Sequence, residues 1–158
     1  MIYREMREGD EQAVSRLVQK SFHRYIANTY TSEGVDNFLE ETSPWGIAER
    51  KRKGQLIIVA EEGKGKGNRV IVGVIVVRSG NHISLFFVDE AFHKRGVART
   101  LLEESTRKIR ETVPGVSSIT VNSSPSAVGF YEKMGFHRTG PEQYRKGMLV
   151  NPMMLHLR

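Results

Sequence analysis

The sequence predicts one α/β domain of the α+β kind, spanning residues 1–158: a mixed, mostly antiparallel sheet of six to seven strands flanked by about four helices. Three observations lead there. A chain of 158 residues suits one hydrophobic core. The runs 55-QLIIVA-60, 69-RVIVGVIVVR-78 and 82-HISLFFV-88 are rich in β-branched and aromatic residues and nearly continuous in apolarity, as buried strands are, and their short connections make them an antiparallel meander. A long amphipathic helix over about 96–112 then lets 118-SITVN-122 return parallel to the third of them, as a βαβ crossover requires.

The other elements follow in order. Residues 2-IYREM-6 read as a first strand. Asp10 is placed to cap a helix whose apolar stripe is Ala13, Val14, Leu17, Val18 and Phe22. One or two short helices are expected at 31–40 and 44–53. The cationic run 49-ERKRKG-54 reads as a solvated helix end, since cations suit a C-terminus closed by glycine. The patch 61-EEGKGKGNR-69 reads as a hairpin loop; it lacks the G-x-x-x-x-G-K-[ST] spacing and following helix of a phosphate-binding P-loop. Ser124 and Pro125 form a cap and first-turn pair for a short helix to Met134, with Gly135 closing it. Candidate strands near 143–149 and 153–157 end the chain.

Composition excludes several classes. The absence of cysteine rules out a disulfide scaffold, a thiolate zinc site and an acyl-cysteine mechanism. No export signal or membrane-spanning run is evident, so a cytoplasmic protein without a membrane partner is expected. The five histidines lack metal-ligand spacing, so no metal is required. A formal net charge of +6 favours an anionic partner. Nucleic acid is the weaker candidate, because interleaved stacking aromatics and a reading helix are missing.

The segment 92-FHKRGVARTLLEES-105 carries the strongest signal. Its helix starts without a Ser, Thr, Asp or Asn cap, and Lys94, Arg95 and Arg99 place cations at the electropositive end. Each costs roughly 0.3–1 kcal/mol against the helix dipole unless compensated. A bound anion such as a diphosphate would use the orphan N–H groups and offset the cations; solvation by water is the plainer alternative. Gly96 stands alone, so the G-x-G-x-x-G of a dinucleotide site is absent.

Together, 86-FFVDEAFHKRGVARTLLEE-104 and 121-VNSSPSAVGFYEKMGF-136 resemble the core of the GNAT N-acetyltransferase superfamily, with the match good over 82–136. The family signature Q/R-x-x-G-x-G/A falls on His93, Lys94, Arg95, Gly96, Val97 and Ala98, with His93 replacing the usual Gln or Arg. The resemblance implies the GNAT fold, splayed between 82–88 and 118–122, and acetyl-CoA as cosubstrate. It implies that amides of Lys94 to Arg99 cradle the pyrophosphate, that backbone groups of Phe87 and Val88, after Phe86, pair with the pantetheine arm, and that Asn122, Ser124 and Tyr131 lie beside it. The His93 replacement is expected to alter affinity more than function.

By pattern alone Tyr131 is a core residue; the resemblance places it beside the CoA sulfur. A phenol with a pKa near ~10 stays protonated beside a thiol near ~8.5. Tyr131 is therefore expected to assist thiolate departure. The acceptor amine, near ~10.4, must lose a proton before attack. His82 is the candidate base, with a plain turn histidine as the equal alternative; Glu90 and Glu142 are weaker candidates. The expectation is an acetyltransferase acting on a primary amine, small molecule or peptide, in a ternary complex. A silent acyl-CoA-binding module and a basic nucleic-acid binder are the rivals, and a homodimer stays open. The acceptor itself is not legible, although 24–54 and 137–147, which include Glu33, Asp36, Glu40 and Glu41, are expected to wall its cleft.

Overall fold

The computed structural model describes residues 1–63 and 67–158. Its elements are β1 (Ile2–Glu5), α1 (Glu11–Tyr25), α2 (Ser32–Glu41), α3 (Pro44–Arg52), β2 (Leu56–Gly63), β3 (Arg69–Arg78), β4 (His82–Val88), α4 (Val97–Thr112), β5 (Ser118–Ser123), α5 (Val128–Lys133), β6 (His137–Arg138), β7 (Gln143–Arg145) and β8 (Met148–His156). Short 3₁₀ turns lie at Ala27–Thr29, Glu90–Phe92 and Pro125–Ala127. The tip of the expected 61–69 hairpin loop, residues 64–66, lies outside the described residues. On either side of it β2 and β3 pair antiparallel out to Gly63 and Arg69.

The strands run β1-β2-β3-β4-β5-β8-β6, with β7 paired to β8. All neighbours are antiparallel except β4 and β5, the pair joined by α4. That parallel pairing is confined to His82↔Thr120 and Ile83↔Val121. Beyond Ile83 the two strands splay apart, as expected. The sheet exceeds the expected count because the tail contributes three strands: β7 and β8 form a hairpin turning at Lys146 and Gly147, and the two-residue β6 flanks β8.

Each face of the sheet is sealed by its own core. On one, Val97, Leu101, Leu102 and Ile109 of α4 pack with Ile58, Ile75, Val121, Tyr131 and Phe136. On the other, Val14, Leu17 and Val18 of α1 pack with Ile47, Val59, Val74 and Leu85. Helix α4 reaches its face closely at Gly73, where a Cβ would lie 2.9 Å from Leu101 Cδ1. A Cβ there would require the Leu101 side chain to shift.

Local details depart from expectation in three places. Asp10 does not cap α1. Its carboxylate instead accepts from Arg4 Nη1 at 2.7 Å and from the Arg7 amide at 2.8 Å, while Arg4 also reaches Glu61, so β1, β2 and the entry to α1 are tied together. The helix expected from Pro125 is a 3₁₀ turn followed by the short α5, and Ser124 makes no side-chain cap bond. In the cationic run at the end of α3, Lys51, Arg52 and Lys53 are exposed as expected, but Arg50 turns inward.

Candidate active site

The splay creates the site. Where β4 leaves β5, the backbone groups of β4 facing β5 have no strand to pair with. Which groups these are follows from the β3–β4 ladder. Phe87 is paired with Val74, and the Asp89 amide donates to Val72 O at 2.7 Å, so Phe87 and Asp89 direct their polar groups toward β3. Because alternate residues of a strand point to opposite sides, the open edge belongs to Phe86 and Val88. The expectation for Phe87 is corrected on this point: its ring lines the cleft, while its backbone serves the sheet.

A bulge sits just upstream. Leu85 pairs with Val76 and Ile83 with Val77, leaving Ser84 as the extra residue. The bulge breaks the strand's alternation, so Ile83 joins the α4 core while Leu85 joins the α1 core. Nothing in the near-continuous apolarity of 82–88 marks it.

At the end of β4 the chain passes through the 3₁₀ turn, where Asp89 accepts from the Ala91 amide at 3.0 Å. It then enters α4 through two left-handed residues, Lys94 at φ 61° and Gly96 at φ 78°. Lys94 carries a Cβ in that conformation, a strain of about 1–2 kcal/mol that clusters at ligand sites. Gly96 caps α4 with no side-chain bond. Among the described residues, the first amide after His93 with a backbone acceptor is that of Thr100, which donates to Gly96 O at 3.0 Å. The amides of Lys94 to Arg99 are thus free for a ligand. The Arg95 guanidinium lies 4.9 Å from the centre of the Phe92 ring.

These features line one cleft of about 650 Å³, bounded by Phe86, Phe87 and Val88, by His93, Lys94 and Gly96 to Arg99, and by Ser124, Ala127 and Phe130 across the gap. It continues into a chamber of about 90 Å³ walled by Tyr30, Phe38, Ser84, Asn122 and Tyr131. Phe86, Phe87 and Ser124 border both. Every expected cofactor residue except Arg95 therefore lines one channel, with Tyr131 at its inner end.

Tyr131 is 5% exposed and packs edge-on against Phe136 at 5.2 Å. Burial pushes its phenol well above the usual tyrosine value. Among the described residues its hydroxyl has no hydrogen-bond partner, although no fully enclosed side-chain polar atom lacks one. The hydroxyl is thus a free donor facing the chamber.

His82 is not brought to this channel. It stands at the zipped end of the β4–β5 pair, Nδ1 2.8 Å from Thr120 Oγ1. Burial, with Arg78 and Arg145 nearby, lowers its pKa to about 4. Glu90 is exposed and pairs with Arg24; Glu142 accepts from Asn151 Nδ2; neither lines the cavities. The expected substrate wall is present in part: Ile26, Tyr30 and Phe38 line the chamber, whereas residues 137–147 do not. Among the described residues no cluster of three His, Asp or Glu is placed to hold a metal, and no helix is long and apolar enough to cross a membrane.

Comparison with known proteins agrees with this architecture. The model of the acetyltransferase (GNAT) domain matches residues 26–157, and the chain belongs to that family. It is an acetyltransferase. A curated relative, the peptidyl-lysine N-acetyltransferase YjaB of Salmonella typhimurium, is 26% identical over 137 residues, covering 84% of this chain and 79% of the relative. Among solved structures, a GCN5-related N-acetyltransferase from Rhodopseudomonas palustris superposes with a TM-score of 0.78 at 21% identity, covering 99% of this chain and 95% of the other. The PaiA N-acetyltransferase of Thermoplasma acidophilum, solved in complex with coenzyme A, superposes with a TM-score of 0.76 at 15% identity over 99% and 98% of the two chains. These two likenesses speak to the fold.

Proposed function

We propose that this chain, as a single domain, transfers the acetyl group of acetyl-CoA to a primary amine by direct attack in a ternary complex. The observation that carries the proposal is the continuity of the channel. Free amides and cations at the start of α4 lead along the open edge of Phe86 and Val88 to the hydroxyl of Tyr131.

The residues divide the work by position. Amides of Lys94 to Arg99 hold the diphosphate, and the positive end of α4 adds to the attraction. Phe86 and Val88 present N–H groups that orient the thioester and draw charge from its carbonyl. Tyr131 hydrogen-bonds the departing sulfur. With its pKa raised above ~10 and a thiol near ~8.5, full proton donation would be uphill, so Tyr131 shares its proton and stabilises the thiolate. The reaction balances without a further reagent: the C–S bond breaks, a C–N bond forms, and one nitrogen proton ends on sulfur.

The amine must arrive neutral. His82 is a poor acceptor for that proton, since a pKa of about 4 lies roughly six units below an alkyl ammonium. The uncharged walls of the chamber instead disfavour the ammonium form by desolvation, with water carrying the proton away. The test is to measure acetyl-CoA binding by calorimetry and thiol release across a set of amines. Saturable binding with amine-dependent thiol release supports the reading; binding without release from any amine favours the silent acyl-CoA module.

A further inference from the structure

Behind the uncharged walls of the chamber that receives the amine stand cations without ion-pair partners among the described residues. Arg50 leaves the solvated end of α3 and donates from Nη1 to Ser84 Oγ at 3.1 Å, and Ser84 is the bulge residue lining the chamber. Arg145 lies opposite Met148 in the β7–β8 hairpin, and Met148 bridges to Tyr30, another chamber residue. Arg78 is the cross-strand partner of His82, the residue before Ile83 of the chamber wall. Three separate segments thus bring positive charge near one end of the chamber. Among the described residues, none of the three arginines forms an ion pair. Glu41 is the carboxylate felt by Arg50 and Tyr30, and it stands beyond salt-bridge distance of Arg50. Within hydrogen-bond reach Arg50 has only the neutral side chains of Ser84 and Gln55, which leaves most of its five N–H donors for a ligand.

We propose that the acceptor is an amine bearing an anionic oxyacid group, a carboxylate or a phosphate, which Arg50 and Arg145 grip while the nitrogen enters the chamber. The inference rests on the acetyl-transfer reading and narrows its substrate. The planar guanidinium fork matches both oxyacids and distinguishes them poorly from each other. The same cations disfavour a second positive charge nearby, so they help keep the reacting nitrogen neutral and select against polyamines.

The experiment compares kcat/KM, referred to the free-amine fraction, for glycine against glycinamide, for O-phosphoethanolamine against ethanolamine, and for spermidine. A lysine peptide flanked by aspartates against one flanked by lysines tests whether the anion comes from a peptide. Acetyl-CoA affinity is measured alongside. Preference for the anionic member of at least one pair by about tenfold or more is expected, as charge-assisted hydrogen bonds supply. Arg145→Gln, on an exposed side chain, and Arg50→Gln should each reduce that preference chiefly through KM, with acetyl-CoA affinity unchanged. Equal or better use of the neutral members or spermidine, or a preference untouched by both substitutions, overturns the inference while leaving acetyl transfer standing. Acetyl-CoA binding with no amine accepted overturns both.

Discussion

Nε2 of His93 lies 2.8 Å from the backbone carbonyl of Val88, so the residue that departs from the family signature fastens the end of β4 to the loop that opens α4. Because a carbonyl only accepts, Nε2 carries the proton in this contact. The bond fixes the spacing between the open strand edge and the free amides. A glutamine could donate to the same carbonyl from its amide nitrogen. We therefore expect His93→Gln to keep acetyl-CoA affinity near wild type and His93→Ala to weaken it about threefold to tenfold, the worth of one neutral hydrogen bond. Calorimetric titration of the two variants checks this.

Gly96 and Arg95 separate cofactor binding from folding. No atom lies within 4 Å of a Cβ built on Gly96, so Gly96→Ala adds strain only through the positive φ, about 1–2 kcal/mol, and should lower the urea midpoint modestly. Arg95→Glu places a carboxylate beside amides meant for an anion. It should leave the urea midpoint nearly unchanged and weaken acetyl-CoA by at least about tenfold, more at low salt than at high.

His82 gives a pH signature in stability. Its folded pKa of about 4 lies below the ordinary ~6.5, so the unfolded chain takes up a proton that the fold refuses. Stability from this group is therefore full above pH ~6.5 and is lost as the pH falls toward about 4. Urea titrations of wild type and His82→Gln between pH 7 and 4.5 should show the wild type losing the more. The rate profile above pH 6 should carry no limb from His82; a limb near pH 6.5 that disappears in His82→Gln would restore it as the base.

Tyr131→Phe removes a hydroxyl that holds no protein partner and keeps the ring packed on Phe136. Stability should change by less than about 0.5 kcal/mol. The catalytic constant should fall about 10²-fold, while KM for acetyl-CoA stays near wild type, because the lost hydrogen bond forms only as the thiolate develops. Stopped-time thiol release measures both.

Periodicity and apolarity are backbone-scale signals, which is why β2 to β5 and α4 could be read in order, together with the splay that the resemblance implied. The missing cap before Val97 was legible because a helix start has strong local rules. Long-range side-chain choices were not. Asp10 resembles a cap in isolation, and only Arg4 and Glu61, brought close by folding, draw it elsewhere. Arg50 reads as one solvated cation among several until the Ser84 bulge gives it a partner. His82 looks like a base by type, yet burial, with Arg78 across the hairpin and Arg145 from the distant β7, suppresses its proton affinity.

The central claim is that the start of α4 and the open edge of β4 form one cofactor site. Amide-resolved NMR on the labelled protein, with and without saturating acetyl-CoA, tests it most directly. The claim predicts shifted, exchange-protected amides at Lys94 to Arg99 and at Phe86 and Val88, with Phe87, already paired to Val74, changing little. Saturable binding that leaves the amides of Lys94 to Arg99 unperturbed would contradict it.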